Sequence, residues 1–556
     1  MLTAYYTSRG RQPEDLRQFL AARLPDHLVP SVFVPVEQMP VTPSGKIDRA
    51  GLAGSGRTAP RGNGSTGTTV EAGLAYLWAQ ILDVEHVDVD DDFFELGGNS
   101  LLAMEMLARA RIMFGIGVDR IRLLTRSLLQ NPTLGAFTRV TRDARGAHPA
   151  IEPGQAVDYA TEAELGVPVH REDGPGPRWH EPGDILLTGA TGFCGAHLLH
   201  ALLETTGARI HCLVRAPDRE HAMERLRASH QRYLRRDLHS ERVVPVVGDL
   251  SEPLLGLGRH RFERLAGTVD LVHHLGGQVN FLYPYHQLRA ANVAGTREVI
   301  RLAGHSRAIP VHYLSSMAVL AGYGSAGTRH VTEQSPLAHA DRLSVGYVES
   351  KWVAEALLHH AAAAGLPVTV HRVNDVTGDL RHGVMNPGTE LCAIIRYLWD
   401  SGTTPEVQLP LDFVPADVFT RALALISTRE QARGEVLHLT NPSPAMLPDL
   451  AERLRARGRA ITRLPYRAWV ERLIAFATEH PAHPITPFVP LFVDRAADSR
   501  LTISEMYFRP VFPLFDRGNA ERALASTGVE VPPVDAQLLD FYLERLEASG
   551  QLEHAA

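Results

Sequence analysis

The stretch Asp184-Ile185-Leu186-Leu187-Thr188-Gly189-Ala190-Thr191-Gly192-Phe193-Cys194-Gly195 decides how this 556-residue chain is read. Its first five residues form a mostly apolar run of strand length, and Leu198, Leu199 and Leu202 follow the glycines at helical spacing. A glycine turn between strand and helix lets the backbone close tightly and approach a pyrophosphate held at the helix N-terminus. Thr188, Gly189, Thr191, Gly192, Phe193 and Gly195 are therefore candidate dinucleotide-binding residues.

Outward from this turn, apolar runs at 184–188, 210–214, 243–247, 271–275, 310–314 and 367–371 alternate with helical stretches. That rhythm predicts an α/β unit with a doubly wound parallel sheet of Rossmann type. The second strand ends at Arg215, twenty residues past Gly195, where a site for NAD would present Asp or Glu to the ribose. A cation there suits the 2′-phosphate of NADP. Arg225 is a second candidate for that pocket, and Asp218 is the residue that points the other way. Asp249 and Leu250, closing the third strand, fall at the adenine edge.

Lysine is scarce. Of 56 basic residues only Lys46 and Lys351 are lysine, which draws attention to chemistry that a guanidinium cannot perform. Lys351 lies four residues after Tyr347, so on a helix the two share a face, and an ammonium there would lower the phenol's pKa. With 14 tyrosines in the chain, that offset arises by accident roughly one time in forty. Ser315 and Ser316 end the fifth strand, where a hydroxyl could join the tyrosine on a carbonyl oxygen.

Length predicts three or four domains, at about 150 residues each. The formal charge of −7 without a basic stripe argues against nucleic-acid binding. No apolar run has the length of a membrane span, and the N-terminal residues lack a signal-peptide core; the expected location is cytoplasmic. Three cysteines make no disulfide framework, and the paired histidines at 273–274 and 359–360 lack metal-ligand spacing. Residues 53–67 and 144–183, rich in Gly, Pro and polar residues, read as linkers. They separate segments 1–52, 68–143 and a long unit divided into a core, 184–385, and a C-terminal part, 386–556.

Three resemblances assign these segments. Pro40-Val41-Thr42-Pro43-Ser44-Gly45-Lys46-Ile47-Asp48-Arg49 resembles the end of adenylation domains, which implies a small α+β subdomain whose Lys46 reaches carboxylate and phosphate. Without the large ATP-binding domain that lysine is an orphan. Phe93-Phe94-Glu95-Leu96-Gly97-Gly98-Asn99-Ser100-Leu101 resembles acyl or peptidyl carrier domains. This implies a four-helix domain carrying 4′-phosphopantetheine on Ser100, installed by a phosphopantetheinyl transferase; the alternative role for Ser100 is a helix cap. The glycine turn, with Gly346-Tyr347, Ser350-Lys351-Trp352 and Ala354-Glu355, resembles the thioester reductase branch of the extended short-chain dehydrogenase superfamily.

That last resemblance implies NADPH as cofactor, Ser316, Tyr347 and Lys351 as catalytic residues, Asn292 in support, and, over 386–556, a mostly helical substrate-binding subdomain with some returning Rossmann strands. Arg372-Val373-Asn374 departs from the family's usual Arg-Pro-Gly. Adenylation remnant, carrier and reductase in series look like the terminal part of a nonribosomal peptide synthetase. Such a chain reductively releases a carrier-bound acyl or peptidyl thioester, supplied by upstream modules or an adenylation large domain, as an aldehyde or, after a further reduction, an alcohol. A carboxylic acid reductase, in which Asp commonly stands where this chain has Asn99, a cyclising domain without redox, and an inactive scaffold are the alternatives.

Overall fold

A computed structural model describes residues 3–7, 32–35, 69–144, 157–169 and 176–552, apart from 83, 85, 99, 115, 117–119, 282, 431–432, 481–482, 494–495, 497–498, 500 and 510–512. Lys46, the linker 53–67 and Asn99 lie outside the described residues. The chain divides into two compact units, one essentially residues 1–152 and the other beginning at Pro153.

In the first unit, Thr3–Tyr6 and Val32–Pro35 pair in parallel. Four helices follow: α1 (Thr69–Leu82), α2 (Ser100–Phe114), α3 (Ile121–Gln130) and α4 (Leu134–Ala144). The 3.6-residue pattern of α1 turns Val70, Leu74, Leu77 and Trp78 into the interior, where Trp78 meets Phe93 edge-on at 5.0 Å and Phe137 at 6.2 Å. The glycines ahead of α2 are required by geometry. Gly97 has φ +104°, and a Cβ on Gly98 would lie 2.3 Å from the Phe93 ring. This compressed turn delivers Ser100 to the first position of α2.

The second unit is built on seven parallel strands, β1 (Asp184–Thr188), β2 (Arg209–Val214), β3 (Val243–Val247), β4 (Leu271–His274), β5 (Val311–Ser316), β6 (Val368–Val373) and β7 (Val436–His438). Their order is β7-β6-β5-β4-β1-β2-β3. Alternation along β1 sends Ile185 and Leu187 into one core and Leu186 into another. Helices α5 (Phe193–Thr205) and α6 (Arg219–Leu234) cover the first face. Helices α7 (Arg259–Thr268), α8 (Gly295–Ala303) and α9 (Gly346–Ala363) cover the second. After α9 come α10 (Glu390–Ser401) and α11 (Ala416–Ile426); α11 returns to the α5 face and β7 extends the sheet.

β7 lies in the C-terminal part, beyond the six apolar runs. One expectation changes. The stretch expected to be linker is folded over 157–169 and 176–183: Ala163, Val167 and Trp179 are buried, and the Tyr159 hydroxyl donates to Glu349 Oε1 on α9 at 2.9 Å. Tyr159 and Trp179 give this segment apolar area that a linker would lack. Strand order reverses between β1 and β4, so the carboxyl ends of those two strands form the crevice where doubly wound folds take ligands.

Candidate active site

At that crevice Gly189 adopts φ +76°, and a Cβ on it would lie 2.8 Å from both Gly276 N and Leu275 C. A Cβ on Gly195 would lie 2.0 Å from Gly189 O. The turn thus exists only with glycine at both positions. Gly192 caps α5 with backbone alone, and the first helical bond runs from Ala196 N–H to Gly192 O at 2.9 Å. The preceding amides of the first turn are available to an anion, so these residues fit a dinucleotide's pyrophosphate.

Arg215 is exposed at the exit of β2, with Nη1 4.0 Å from Asp249 Oδ2. Arg225 donates from Nη1 to the Arg215 carbonyl, and burial together with the Arg215 charge lowers its pKa. Asp218 is engaged elsewhere. It caps α6, accepting the His221 amide at 2.9 Å and meeting the His221 ring at 2.8 Å. Asp249 is half-buried and accepts the Ser251 amide and hydroxyl at 2.9 and 2.6 Å. Leu250 closes against the loop after β4, where a Cβ on Gly276 would meet its Cδ1 at 2.4 Å.

The other wall is α9. Tyr347 and Lys351, one turn apart, are both half-buried. Lys351 Nζ donates to the Leu314 carbonyl and lies 4.1 Å from the centroid of the Tyr313 ring. Burial pushes this ammonium down to about 7, and Glu355 one turn on pulls it upward. Burial pushes the Tyr347 phenol up, and Cys194 and Asp375 push it further in the same direction. The expected lowering of Tyr347 by Lys351 is thus not what the geometry gives: the ammonium faces Leu314 O and the Tyr313 ring, and burial dominates at the phenol. Tyr347 holds its proton at neutral pH and can donate it.

Ser316 accepts the Ala318 amide at 3.2 Å, which makes it the cap of the short helix Met317–Leu320; the adjacent Ser315 is buried and donates to Glu355 Oε2 at 2.5 Å. Arg372 is fully buried and bonds Glu355 through Nε at 2.9 Å, so it acts in the scaffold. Asn374 bonds Asp412 at 2.6 Å. Asn292 sits in a π-helical turn, Ala290–Ala294, a distortion frequent at functional sites. Its Nδ2 donates to Ser350 Oγ at 2.9 Å.

Sequence reasoning misses two carboxyls. Asp375, directly after the Arg372-Val373-Asn374 departure, is raised to about 6 by burial and by Asp412. Glu390, opening α10, is raised to about 8 by burial and by Asp375. No pattern in the sequence marks either, because their perturbation arises from tertiary enclosure. Among the described residues no cluster of His, Cys, Asp or Glu could hold a metal ion, and no helix is long and apolar enough to cross a membrane.

Residues 187–423 match the family model described as Male sterility protein, and residues 73–140 match Phosphopantetheine attachment site. The solved terminal R domain from the myxalamid PKS-NRPS biosynthetic pathway is 35% identical, with a TM-score of 0.65, over 72% of this chain and 99% of that one. The chain belongs to the terminal reductase domains of nonribosomal peptide synthetases. It joins a reductase of the NAD(P)-binding short-chain dehydrogenase type to a carrier domain. A linear gramicidin synthase of Brevibacillus parabrevis is 32% identical over 97% of this chain and 10% of its own length. The non-canonical nonribosomal peptide synthetase FrzA of Cladobotryum sp is 33% identical over 95% of this chain and 52% of its own. The chain thus spans between a tenth and about half of these curated relatives.

Proposed function

We propose that this chain is the terminal part of a nonribosomal peptide synthetase in which Ser100 carries the phosphopantetheine arm and Tyr347, Lys351 and Ser316 reduce the tethered acyl or peptidyl thioester to an aldehyde. What supports this most is the placement of Tyr347 and Lys351 on one helix face beside the glycine turn at the switch point. NADPH, when bound, supplies a hydride to the thioester carbonyl carbon. Tyr347, protonated, and Ser316 would donate to the oxygen where negative charge develops. Lys351 would exchange its Leu314 and Tyr313 contacts for ribose hydroxyls. The glycine turn and the first turn of α5 would hold the pyrophosphate, Arg215, with Arg225 behind it, would read the 2′-phosphate, and Asp249 and Leu250 would border the adenine.

Residues 1–52 would be the C-terminal subdomain of an adenylation domain, in which Lys46 would reach the carboxylate and phosphate. Upstream modules and a phosphopantetheinyl transferase are the partners this reading requires, in the cytoplasm.

The test uses the full chain, primed with coenzyme A and a transferase, loaded with a model acyl group and mixed with NADPH. Loss of NADPH absorbance with release of one aldehyde per thioester is expected, and Ser100→Ala should abolish both. Ring closure without NADPH consumption would overturn the redox reading. Arg215→Ala should weaken NADPH by roughly 10- to 100-fold while leaving NADH nearly unchanged, because a charge-assisted contact contributes about 1.5–3 kcal/mol. Equal loss for both cofactors would remove Arg215 from the phosphate.

A further inference from the structure

β1 and β4 are neighbours at the switch point, and the register opposes Thr188 to His274. Both are completely buried. From this pair a continuous line of hydrogen bonds runs to the catalytic helix. Gly276 N–H donates to Thr188 Oγ1 at 2.9 Å, and Thr188 Oγ1 lies 2.8 Å from His274 Nδ1. His274 Nε2 lies 3.0 Å from Thr296 Oγ1, whose hydroxyl donates to the Asn292 carbonyl at 2.6 Å. Asn292 Oδ1 accepts Gln278 N–H at 2.6 Å, and its Nδ2 donates to Ser350 Oγ at 2.9 Å. Ser350 in turn donates to the Tyr347 carbonyl at 2.7 Å.

The protons in this line can be assigned one after another. The Thr296 hydroxyl spends its proton on Asn292, so toward His274 it can only accept, and Nε2 must carry the hydrogen. Nδ1 is then bare and accepts the Thr188 hydroxyl, while Thr188 Oγ1 takes the Gly276 amide. Every donor meets one acceptor. An imidazolium would put a second donor against Thr188 in a dry site. It would also place a cation near Lys351, which shares the Tyr313 ring with His274: the His274–Tyr313 centroids are 5.4 Å apart. Burial first and the Lys351 charge second push His274 down to about 3.

Resting on the reductase reading above, we infer that His274 is a positioning residue: held neutral with its hydrogen on Nε2, it fixes the glycine turn that cradles the cofactor relative to the turn of α9 that carries Tyr347. Thr188 immediately precedes the positive-φ glycine, and Gly276 is the backbone against which that glycine packs. Ser350 holds the carbonyl of Tyr347 itself. A slip at His274 therefore changes the distance between hydride donor and proton donor, although His274 touches neither. A displacement of about 1 Å in such a site costs on the order of a hundredfold.

The first measurement is made on the wild-type full chain without cofactor or substrate. Histidine ¹⁵N resonances should contain one imidazole with Nε2 protonated and Nδ1 bare at about pH 7.5, far above the titration of a buried neutral ring. It is identified as the ring whose Nε2 signal moves in Thr296→Val and whose Nδ1 signal moves in Thr188→Val. The opposite tautomer, or an imidazolium, would overturn the assignment. The second is kinetic. Thr296→Val should slow hydride transfer at saturating NADPH by roughly 10- to 100-fold while the NADPH Kd changes less than about threefold. Thr188→Val combined with Ser350→Ala should lose no more than the worse single variant, because either cut breaks the same line. Fold-losses that multiply, as for independent sites, would refute the coupling. A chain that binds NADPH but reduces no thioester would defeat the functional reading, and the tautomer would still decide the positioning role.

Discussion

One turn of α9 separates two charges that the protein treats in opposite ways. Glu355 is completely buried yet saturated: Ser315 donates to it at 2.5 Å, Arg372 bonds it through two nitrogens, and His359 approaches to 3.4 Å. Burial alone would raise this carboxyl, but the Arg372 charge and the bonds from His359 and Arg372 hold it down to about 2. Lys351, nearer the crevice, has one carbonyl and one aromatic face, and burial drives it down to about 7. The saturated charge locks the helix to β5 and β6. The underpaired one is left with donors to spend on a ligand, a cost in stability that the site carries for function.

The largest effect that can sharpen this contrast is chemical. Tyr347→Phe keeps the ring packed against Phe281, whose centroid is 5.3 Å away, and removes only the acid. Hydride transfer should slow by about 10²–10⁴-fold with NADPH binding nearly intact. Near-normal turnover would move the proton to Ser316. On the structural side, Glu355→Ala leaves the Arg372 guanidinium buried without its carboxylate and should destabilise the reductase unit by about 3–5 kcal/mol, read as a shift in denaturant midpoint. Replacing both partners, Glu355→Leu with Arg372→Met, should recover most of that loss. If it recovers none, the pair is more than an anchor.

The legibility of these features in the sequence follows the range over which each is determined. Six strands and the glycine turn are local patterns, and the observed strands lie within two residues of the apolar runs. β7 is not placed by pattern, because three residues, Val436 to His438, carry too short a period to separate from noise; the family resemblance implies only that some strands return in that part of the chain. The helical offset of Tyr347 and Lys351 is visible, whereas the diversion of the ammonium to Tyr313 depends on β5, a distant part of the chain. In the sequence His274 is one of a pair of histidines without metal-ligand spacing. Only the register with Thr188 and the π-turn at Asn292 reveals that it joins two walls of the crevice. Pro- and Gly-rich composition suggests a linker at 144–183, yet composition does not report that Tyr159 and Trp179 find apolar surfaces to cover.

The smallest effect tests the contrast most directly, because it predicts a gain where a mutation would ordinarily destabilise. In the unfolded chain Lys351 titrates near 10.4, and in the folded one near 7. Between those values the unfolded state binds a proton that the folded state does not, so this group makes stability rise with pH across the window. At and below pH 7 the folded state bears the full cost of the enclosed ammonium. Lys351→Met removes that cost, keeps a flexible chain of similar length, and forfeits the Leu314 bond and the Tyr313 contact. After allowing for water in the half-buried crevice, the net gain at pH 7 should be about 1–2 kcal/mol, a rise in Tm of about 2–8 °C. The gain should shrink as pH approaches 10, and reductase activity should be lost throughout. A Lys351→Met variant less stable than wild type at pH 7, or a difference independent of pH, would mean that Lys351 is as well satisfied as Glu355 and that the two turns of α9 do not differ in kind.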